Sequence, residues 1–192
     1  MSKETTIIGV AALIIGFLLG VLVGGKFMAS GVTPSGQQAM QQGSGSMSNP
    51  GQASARIAEL EQLVAKDPKN LQAWITLGND YFDANQAQKA VQAYSKALAL
   101  DPNNANVLTD QGVMFRALGF FDRALANFDK ANKLDPKHLQ SLFNTGIVYA
   151  VDLKQPDKAK ATFEALLQKD QTSDLARQAR EMLKQLPAGN KK

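Results

Sequence analysis

Small and aromatic positions recur with a period of 34 residues in the second half of the chain. Three consecutive blocks, 71–104, 105–138 and 139–172, can be laid over one another. This period, with such residues at fixed offsets, predicts an all-α solenoid of three helix-turn-helix repeats. The recurring residues are glycine at block position 8 (Gly78, Gly112, Gly146), an aromatic ring at position 11 (Tyr81, Phe115, Tyr149), alanine at position 20 (Ala90, Ala124 and, after a one-residue slip, Ala159) and a second ring at position 24 (Tyr94, Phe128, Phe163).

One more helix is predicted on each side of the blocks. Residues 54–66 have apolar residues at helical spacing and end before Pro68, which cannot extend a helix. Residues 174–186 have the amphipathic pattern of a capping helix that covers the last repeat. We therefore expect a folded domain over 54–186. The predicted apolar positions are Ile57, Leu60, Leu63 and Val64 in the first helix and Leu175, Ala179, Met182, Leu183 and Leu186 in the second.

An uncharged, mostly apolar run of 19 residues spans 7–25, behind a short tail over 1–6. At ~1.5 Å per residue a helix of this length is about 28 Å long, close to the thickness of a bilayer's hydrocarbon core. The alternative is a cleavable signal peptide, whose apolar region is ~7–15 residues and ends in a small-x-small site. The run is longer, and 27–31 is a poor cleavage site. The pattern favours a retained single transmembrane helix.

Three glycines within this run, Gly16, Gly20 and Gly24, are spaced by four and share one helical face. Such a stripe lets two helices approach closely in lipid, which favours a homodimer. The alternative is that glycine is simply common in membrane helices.

The free amino group and the very short tail favour a cytoplasmic amino end. Lys3 and Lys26 flank the run almost equally, but no charged residue follows Lys26 before Arg56, so this stretch is easy to translocate. Residues 26–53 are rich in Gly, Ser and Gln and predict a flexible linker. We expect an inner-membrane protein whose repeats lie outside the cytoplasm, which is the periplasm if the source is a Gram-negative bacterium. A cytoplasm-facing domain is the alternative.

Composition and isolated chemical groups point away from catalysis. The net charge of +4 is spread along the repeats without the basic stripe that nucleic-acid binding requires. The chain has no cysteine, and its one histidine, His138, falls in a turn between repeats, where a solvated residue is expected. No phosphate-binding loop, metal-ligand cluster or nucleophile–base pair is present in the sequence. We expect no enzyme activity, no cofactor and no metal site.

The first block resembles the tetratricopeptide repeat (TPR), whose pattern is W-x2-L-G-x2-Y, then A-x3-F, A and P. The second block departs at Leu108 and Gln111, which stand at the Trp and Leu positions. The third departs by an inserted residue around 154–157 and by Leu166, where a small residue is usual. The first block fills this pattern, with Tyr94 in place of Phe, through Trp74, Leu77, Gly78, Tyr81, Ala90, Tyr94, Ala97 and Pro102.

The resemblance implies a concave groove lined by block positions 2, 5, 9, 12 and 13 of the first helices, which docks a partner peptide or helix. Phe143 and Ile147 are equally well explained by burial under the capping helix. The groove residues that it implies are Gln72, Ile75, Asn79, Phe82, Asp83, Asn106, Thr109, Val113, Arg116, Gln140, Phe143 and Ile147, with Ala117, Ala150 and Val151 at the remaining positions.

One subtype of the family is excluded. TPR domains that hold chaperone carboxyl termini use a clamp of Lys, Asn and Arg side chains around two carboxylates. Asn79 matches that clamp, but its cationic positions do not. The other clamp positions hold Ile75, Asp110, Gln140 and Asn144.

The order of anchor, linker and repeats predicts a membrane-tethered adaptor for protein–protein interaction. This layout resembles membrane-anchored repeat proteins that serve envelope assembly, such as cytochrome c maturation. The alternative is a self-assembling structural protein. The last residues, 187–192, are expected to form a short tail.

Overall fold

The computed structural model describes residues 50–187. Within them the chain is helical and contains no strand. The expected transmembrane helix, its glycine stripe and most of the linker lie outside the described residues. No helix within 50–187 is long and apolar enough to cross a bilayer. The elements are α1 (Pro50–Lys66), α2 (Leu71–Asp83), α3 (Ala87–Leu100), α4 (Ala105–Ala117), α5 (Phe121–Leu134), α6 (Leu139–Ile147), a π-helical turn (Val148–Asp152), α7 (Pro156–Lys169) and α8 (Asp174–Gln185).

Each helix packs against the next one along the chain, which gives three hairpins between two flanking helices. The first helix of the second hairpin, α4, also contacts the first helix of the third, α6, and α6 contacts α8. α4 and α6 therefore lie on one side of the array, and the end of α2 lines a cavity together with α4. This side is here called the first-helix face. It comprises the exposed and half-buried residues of α2, α4 and α6 with its π-helical turn.

The amino-terminal helix begins earlier than the sequence predicted. It starts at Pro50, so the end of the expected linker, 50–53, is helical. Proline at the first helical position lacks only an N–H that has no partner there, which makes it a good helix start. Leu63, which was expected on the apolar face, is 42% exposed, and Ile57 and Val64 are buried against α2 and α3 instead.

The three hairpins begin with the same cap. The side chains of Asn70, Asn104 and His138 each accept a hydrogen bond from the backbone N–H three residues on. Such a cap satisfies one of the free N–H groups at a helix start. His138 is therefore a half-buried capping residue rather than the solvated turn residue that the sequence predicted.

Each repeat glycine lies under an aromatic ring of its own hairpin. A Cβ added to Gly112 would lie 2.5 Å from Cε1 of Phe128, and one added to Gly78 would lie 2.5 Å from the Tyr94 ring. Gly146 has the same relation to Phe163. The rings at block position 24 thus fill the space within hairpins.

The turn inside each hairpin contains one residue with a left-handed backbone. These residues are Asn85, Gly119 and Lys154, with φ of 55°, 78° and 52°. The first two are 34 residues apart (119 − 85) and the last two 35 (154 − 119). The third repeat accommodates its inserted residue in the π-helical turn over 148–152. The sequence had predicted this insertion slightly later, around 154–157. A π-helical turn is the usual result of one inserted residue in a helix.

A buried polar network replaces an apolar contact in the second repeat. Gln111 stands where the pattern has leucine and is 5% exposed. Its Nε2 donates to the Val91 carbonyl at 3.2 Å and to Ser95 Oγ at 2.8 Å, and its Oε1 accepts from Asn127 Nδ2 at 2.8 Å. Because each of these polar groups has a partner, the substitution is tolerated inside the core.

The carboxyl-terminal helix closes the last hairpin. Ala176 and Ala179 of α8 are fully buried in one cluster with Phe163 and Leu166 of α7. Ala176 is therefore as deeply buried as Ala179, although it was not among the predicted apolar residues of this helix. Leu166, the large residue at a usually small position, is also fully buried.

Candidate partner-binding site

A cavity of about 270 Å³ opens between the first and second hairpins. It is built from the end of α2, the middle of α3 and the middle of α4. Asn79 and Asp83 are exposed, Phe82 and Asp110 are half-buried, and Tyr94 is 1% exposed. The cavity thus combines an aromatic wall with an amide, a hydroxyl and two carboxylates. Three of these residues, Asn79, Phe82 and Asp83, are groove positions that the family resemblance implied.

Tyr94 fixes the floor of this cavity. Its ring lies on Gly78, and its hydroxyl donates a 2.8 Å hydrogen bond to Asn79 Oδ1. Burial, and then the negative charges of Asp110 and Asp83, raise the pKa of Tyr94. The hydroxyl therefore stays protonated and remains a donor at neutral pH. The sequence treated this ring as packing alone, and it missed the hydroxyl because only the fold brings it beside Asn79.

Asp110 faces the same cavity from α4. Burial raises the pKa of its carboxyl group above the ordinary value, and the nearby His138 opposes that shift. A half-buried carboxylate without a paired cation is an unfavourable arrangement, which a bound cation relieves. The sequence signalled this residue only as a mismatch to the chaperone clamp.

A second group of polar residues lies where α4 meets α6. His138 Nε2 lies 2.9 Å from Asn106 Oδ1, and the Ser141 N–H points at Nδ1 at 3.4 Å. Since Asn106 Oδ1 accepts and the Ser141 N–H donates, Nε2 acts as the donor of this ring and Nδ1 as its acceptor. Thr109 was predicted to line the groove, but it does not. It is 2% exposed and its hydroxyl donates to the Ala105 carbonyl at 2.9 Å, so it is a packing residue.

The predicted polar anchor Arg116 is engaged within the domain. Its Nε and Nη2 donate to the two carboxylate oxygens of Asp152 at 2.5 and 3.3 Å. The π-helical turn is what places Asp152 opposite α4. Arg116 therefore does not offer a free cation to a partner. The pair could not be predicted from the repeat pattern, because the π-helical turn shifts the register.

The third repeat offers less surface than the sequence predicted. Phe143 and Ile147 are half-buried and pack in the cluster formed with α7 and α8, where the Phe143 and Phe163 ring centroids are 5.7 Å apart. This matches the alternative in which the capping helix covers them. Gln140 stays exposed, as does Gln72 at the other end, and Ile75 and Val113 are half-buried against the first core cluster.

Comparison with known proteins supports the repeat assignment. Residues 78–113 match the family model of the TPR repeat, and 109–174 match that of the tetratricopeptide repeat. No curated protein matches the chain.

Several solved structures share the fold. The crystal structure of MamA is 19% identical with a TM-score of 0.60, and the match covers 70% of this chain and 86% of that one. A tetratricopeptide repeat protein from Parabacteroides merdae is 23% identical with a TM-score of 0.61, covering 70% of this chain and 53% of that one. The first TPR of Spaghetti (RPAP3), bound to the HSP90 peptide SRMEEVD, is 21% identical with a TM-score of 0.54. The match covers 62% of this chain and 94% of that one.

At these identities the likeness concerns the fold alone. The family models, the repeated glycine–ring pairs and the shared hairpin array agree on one assignment. The three helical hairpins of this chain are tetratricopeptide repeats.

Proposed function

We propose that the chain is a protein–protein interaction adaptor that docks a partner polypeptide on its first-helix face. The cavity lined by Asn79, Phe82 and Tyr94 carries this proposal, because it places apolar and hydrogen-bonding groups together at the surface. Tetratricopeptide repeats are an interaction fold, and extended first-helix surfaces are what such arrays present to ligands.

The face suits a peptide segment rather than a small molecule. The half-buried apolar side chains Ile75, Phe82 and Val113 pack on the first core cluster, so they are held in place before a partner binds. Fixed apolar groups flanked by polar ones bind a helix or extended segment with little ordering cost. Exposed Asn106 and Gln140 continue the polar edge along the array.

Paired variants of the full-length protein test this proposal. Asn79→Ala combined with Phe82→Ala removes the centre of the face, and we expect retention of specific partners to fall about tenfold or more, the loss typical of an interface hot spot. Gln88→Ala, an exposed residue of α3 away from the cavity, is the control and should retain them. Equal retention by both variants contradicts the proposal.

We further propose that residues 7–25 tether the adaptor to the inner membrane, with the repeats outside the cytoplasm. There the adaptor serves the assembly of an envelope complex, for example during cytochrome c maturation. The uncharged run and the uncharged stretch after it support this arrangement. A carboxy-terminal alkaline phosphatase fusion should be active and a green fluorescent protein fusion exported by the general pathway dark. The opposite pair of results places the repeats in the cytoplasm.

A further inference from the structure

The cavity between the first two hairpins has two acidic groups and no basic group among its lining residues. Asp83 approaches it from the end of α2 and Asp110 from α4. Neither forms an ion pair with any residue within 50–187. Both carboxylates line the cavity together with Tyr94.

Arg56, whose charge interacts with that of Asp83, and Arg116 of α4 are each paired with another carboxylate. Arg56 binds both carboxylate oxygens of Asp80 at 2.6 Å, and Arg116 binds Asp152. His138 is held by Asn106 and by the Ser141 N–H. The two cavity carboxylates are therefore left for a charge from outside the domain, although the whole chain has a net charge of +4.

The other groups of the cavity suit the stem of a long basic side chain. Phe82 and the edge of Tyr94 form an apolar wall on which methylene groups or a guanidinium plane can lie. Asn79 Oδ1 accepts one hydrogen bond from Tyr94 and keeps a second lone pair for another donor.

We propose that this cavity receives a lysine or arginine side chain of the docked partner segment, with Asp83 and Asp110 binding its charge. This deepens the adaptor function proposed above and rests on it. The charge complementarity selects a basic peptide over an acidic one, because an incoming carboxylate meets two like charges. A metal ion is a poor match, since the described residues contain no group of three His, Cys, Asp or Glu side chains that would hold one.

The proposal is tested on the full chain, labelled with ¹⁵N and kept in a neutral detergent. The probe is N-acetyl-arginine N-methylamide, and the matched probes are its citrulline analogue, which has the same shape without the charge, and N-acetyl-glutamate N-methylamide. We expect the arginine probe alone to shift the amide resonances of Asn79, Asp83 and Asp110. A larger shift with the glutamate probe, or equal shifts with citrulline, overturns the proposal, and so does displacement of the arginine probe by calcium.

Charge-removing variants then assign the effect to the two carboxylates. Asp83→Asn and Asp110→Asn should each weaken arginine binding by about threefold, the scale of one partly exposed charge pair. Asp83 is exposed, so its substitution tests the proposal without a risk to folding. The control Asp129→Asn removes the same charge on the outer helix α5 and should leave binding unchanged; equal weakening by the control overturns the proposal.

Different results would contradict the adaptor function and the binding of a basic side chain. If a captured partner depends on Asn79 and Phe82 but is insensitive to Asp83→Asn and Asp110→Asn together, the adaptor function stands and the basic side chain is wrong. If the arginine probe binds as expected while no partner depends on the first-helix face, the adaptor function is wrong.

Discussion

The hydroxyl of Tyr94 donates a 2.8 Å hydrogen bond to Asn79, and this contact joins the packed interior of the first hairpin to its binding surface. The ring of Tyr94 is fixed by Gly78 on the one side, while Asn79 stands exposed on α2. The repeat pattern therefore sets both the fold and the position of a surface amide.

Removing the Tyr94 hydroxyl separates the packing of the ring from the support that the hydroxyl gives to Asn79. Tyr94→Phe keeps the ring and deletes the hydrogen bond, so we expect the free energy of unfolding to fall by roughly 0.5–1.5 kcal/mol, the usual net value of one such bond. Partner binding should weaken as well, because Asn79 loses its support. Urea titration measures the first effect, and unchanged stability with unchanged binding would show that the contact is unimportant.

The contact between Gly112 and Phe128 makes a sharper test of the packing. Gly112→Ala places a Cβ 2.5 Å from a ring that is 0% exposed and cannot move away, so we expect a loss of about 1–3 kcal/mol in the free energy of unfolding. Gly51→Ala is the matched control, because nothing lies within 4 Å of the added atom. It should leave stability unchanged or raise it slightly through better helix propensity. Similar losses in both variants would refute the packing described here.

The left-handed turn at Lys154 predicts a substitution that stabilises the domain. A lysine at φ of 52° is strained by its own Cβ, and glycine is not. Lys154→Gly should therefore raise the free energy of unfolding by about 0.5–1 kcal/mol, after the added entropy of the unfolded chain is counted. Lys130→Gly, in the exposed interior of α5, should lower it by about 1 kcal/mol. Thermal unfolding of both variants gives opposite signs if the turn is assigned correctly.

Asp170 makes the stability of the last hairpin depend on pH. Hydrogen bonds from Ser173 and from the backbone N–H of Thr172 lower the pKa of its carboxyl group from 3.8 to about 2. Because the folded-state pKa is lower than the unfolded one, the stabilisation is complete above the unfolded value and disappears as the pH falls toward about 2. The stability difference between wild type and Asp170→Asn should therefore be constant at pH 5 and above and shrink between about 4 and 2. A difference that grows on acidification would contradict this assignment.

The repeat period was sufficient to predict the hairpins, because glycine, alanine and ring residues at fixed offsets have one efficient way to pack. It assigned Gly112 and Ala124 to recurring small positions, and both residues are buried. The site was less predictable, since its chemistry depends on register. One inserted residue forms a π-helical turn, which brings Asp152 to Arg116 and removes that arginine from the free surface.

Burial explains the other residues whose roles the sequence did not predict. Thr109 occupies a groove position by number, yet its side chain bonds to its own helix and is covered. Tyr94 occupies a packing position, yet the tip of its ring reaches the surface cavity. A position within a repeat specifies the direction of the Cα–Cβ bond, and the length and polarity of the side chain decide what the atom at its end contacts.

The central claim is that a partner polypeptide docks on the first-helix face, and photo-crosslinking in the native cells tests it most directly. A benzoyl-phenylalanine is introduced in place of Phe82 or Val113 on that face and, as the control, in place of Lys130 on the outer side of α5. The account predicts that positions 82 and 113 crosslink to the same foreign polypeptide and that position 130 does not. Equal crosslinking from position 130, or adducts from position 82 that contain only a second copy of this chain, would contradict it.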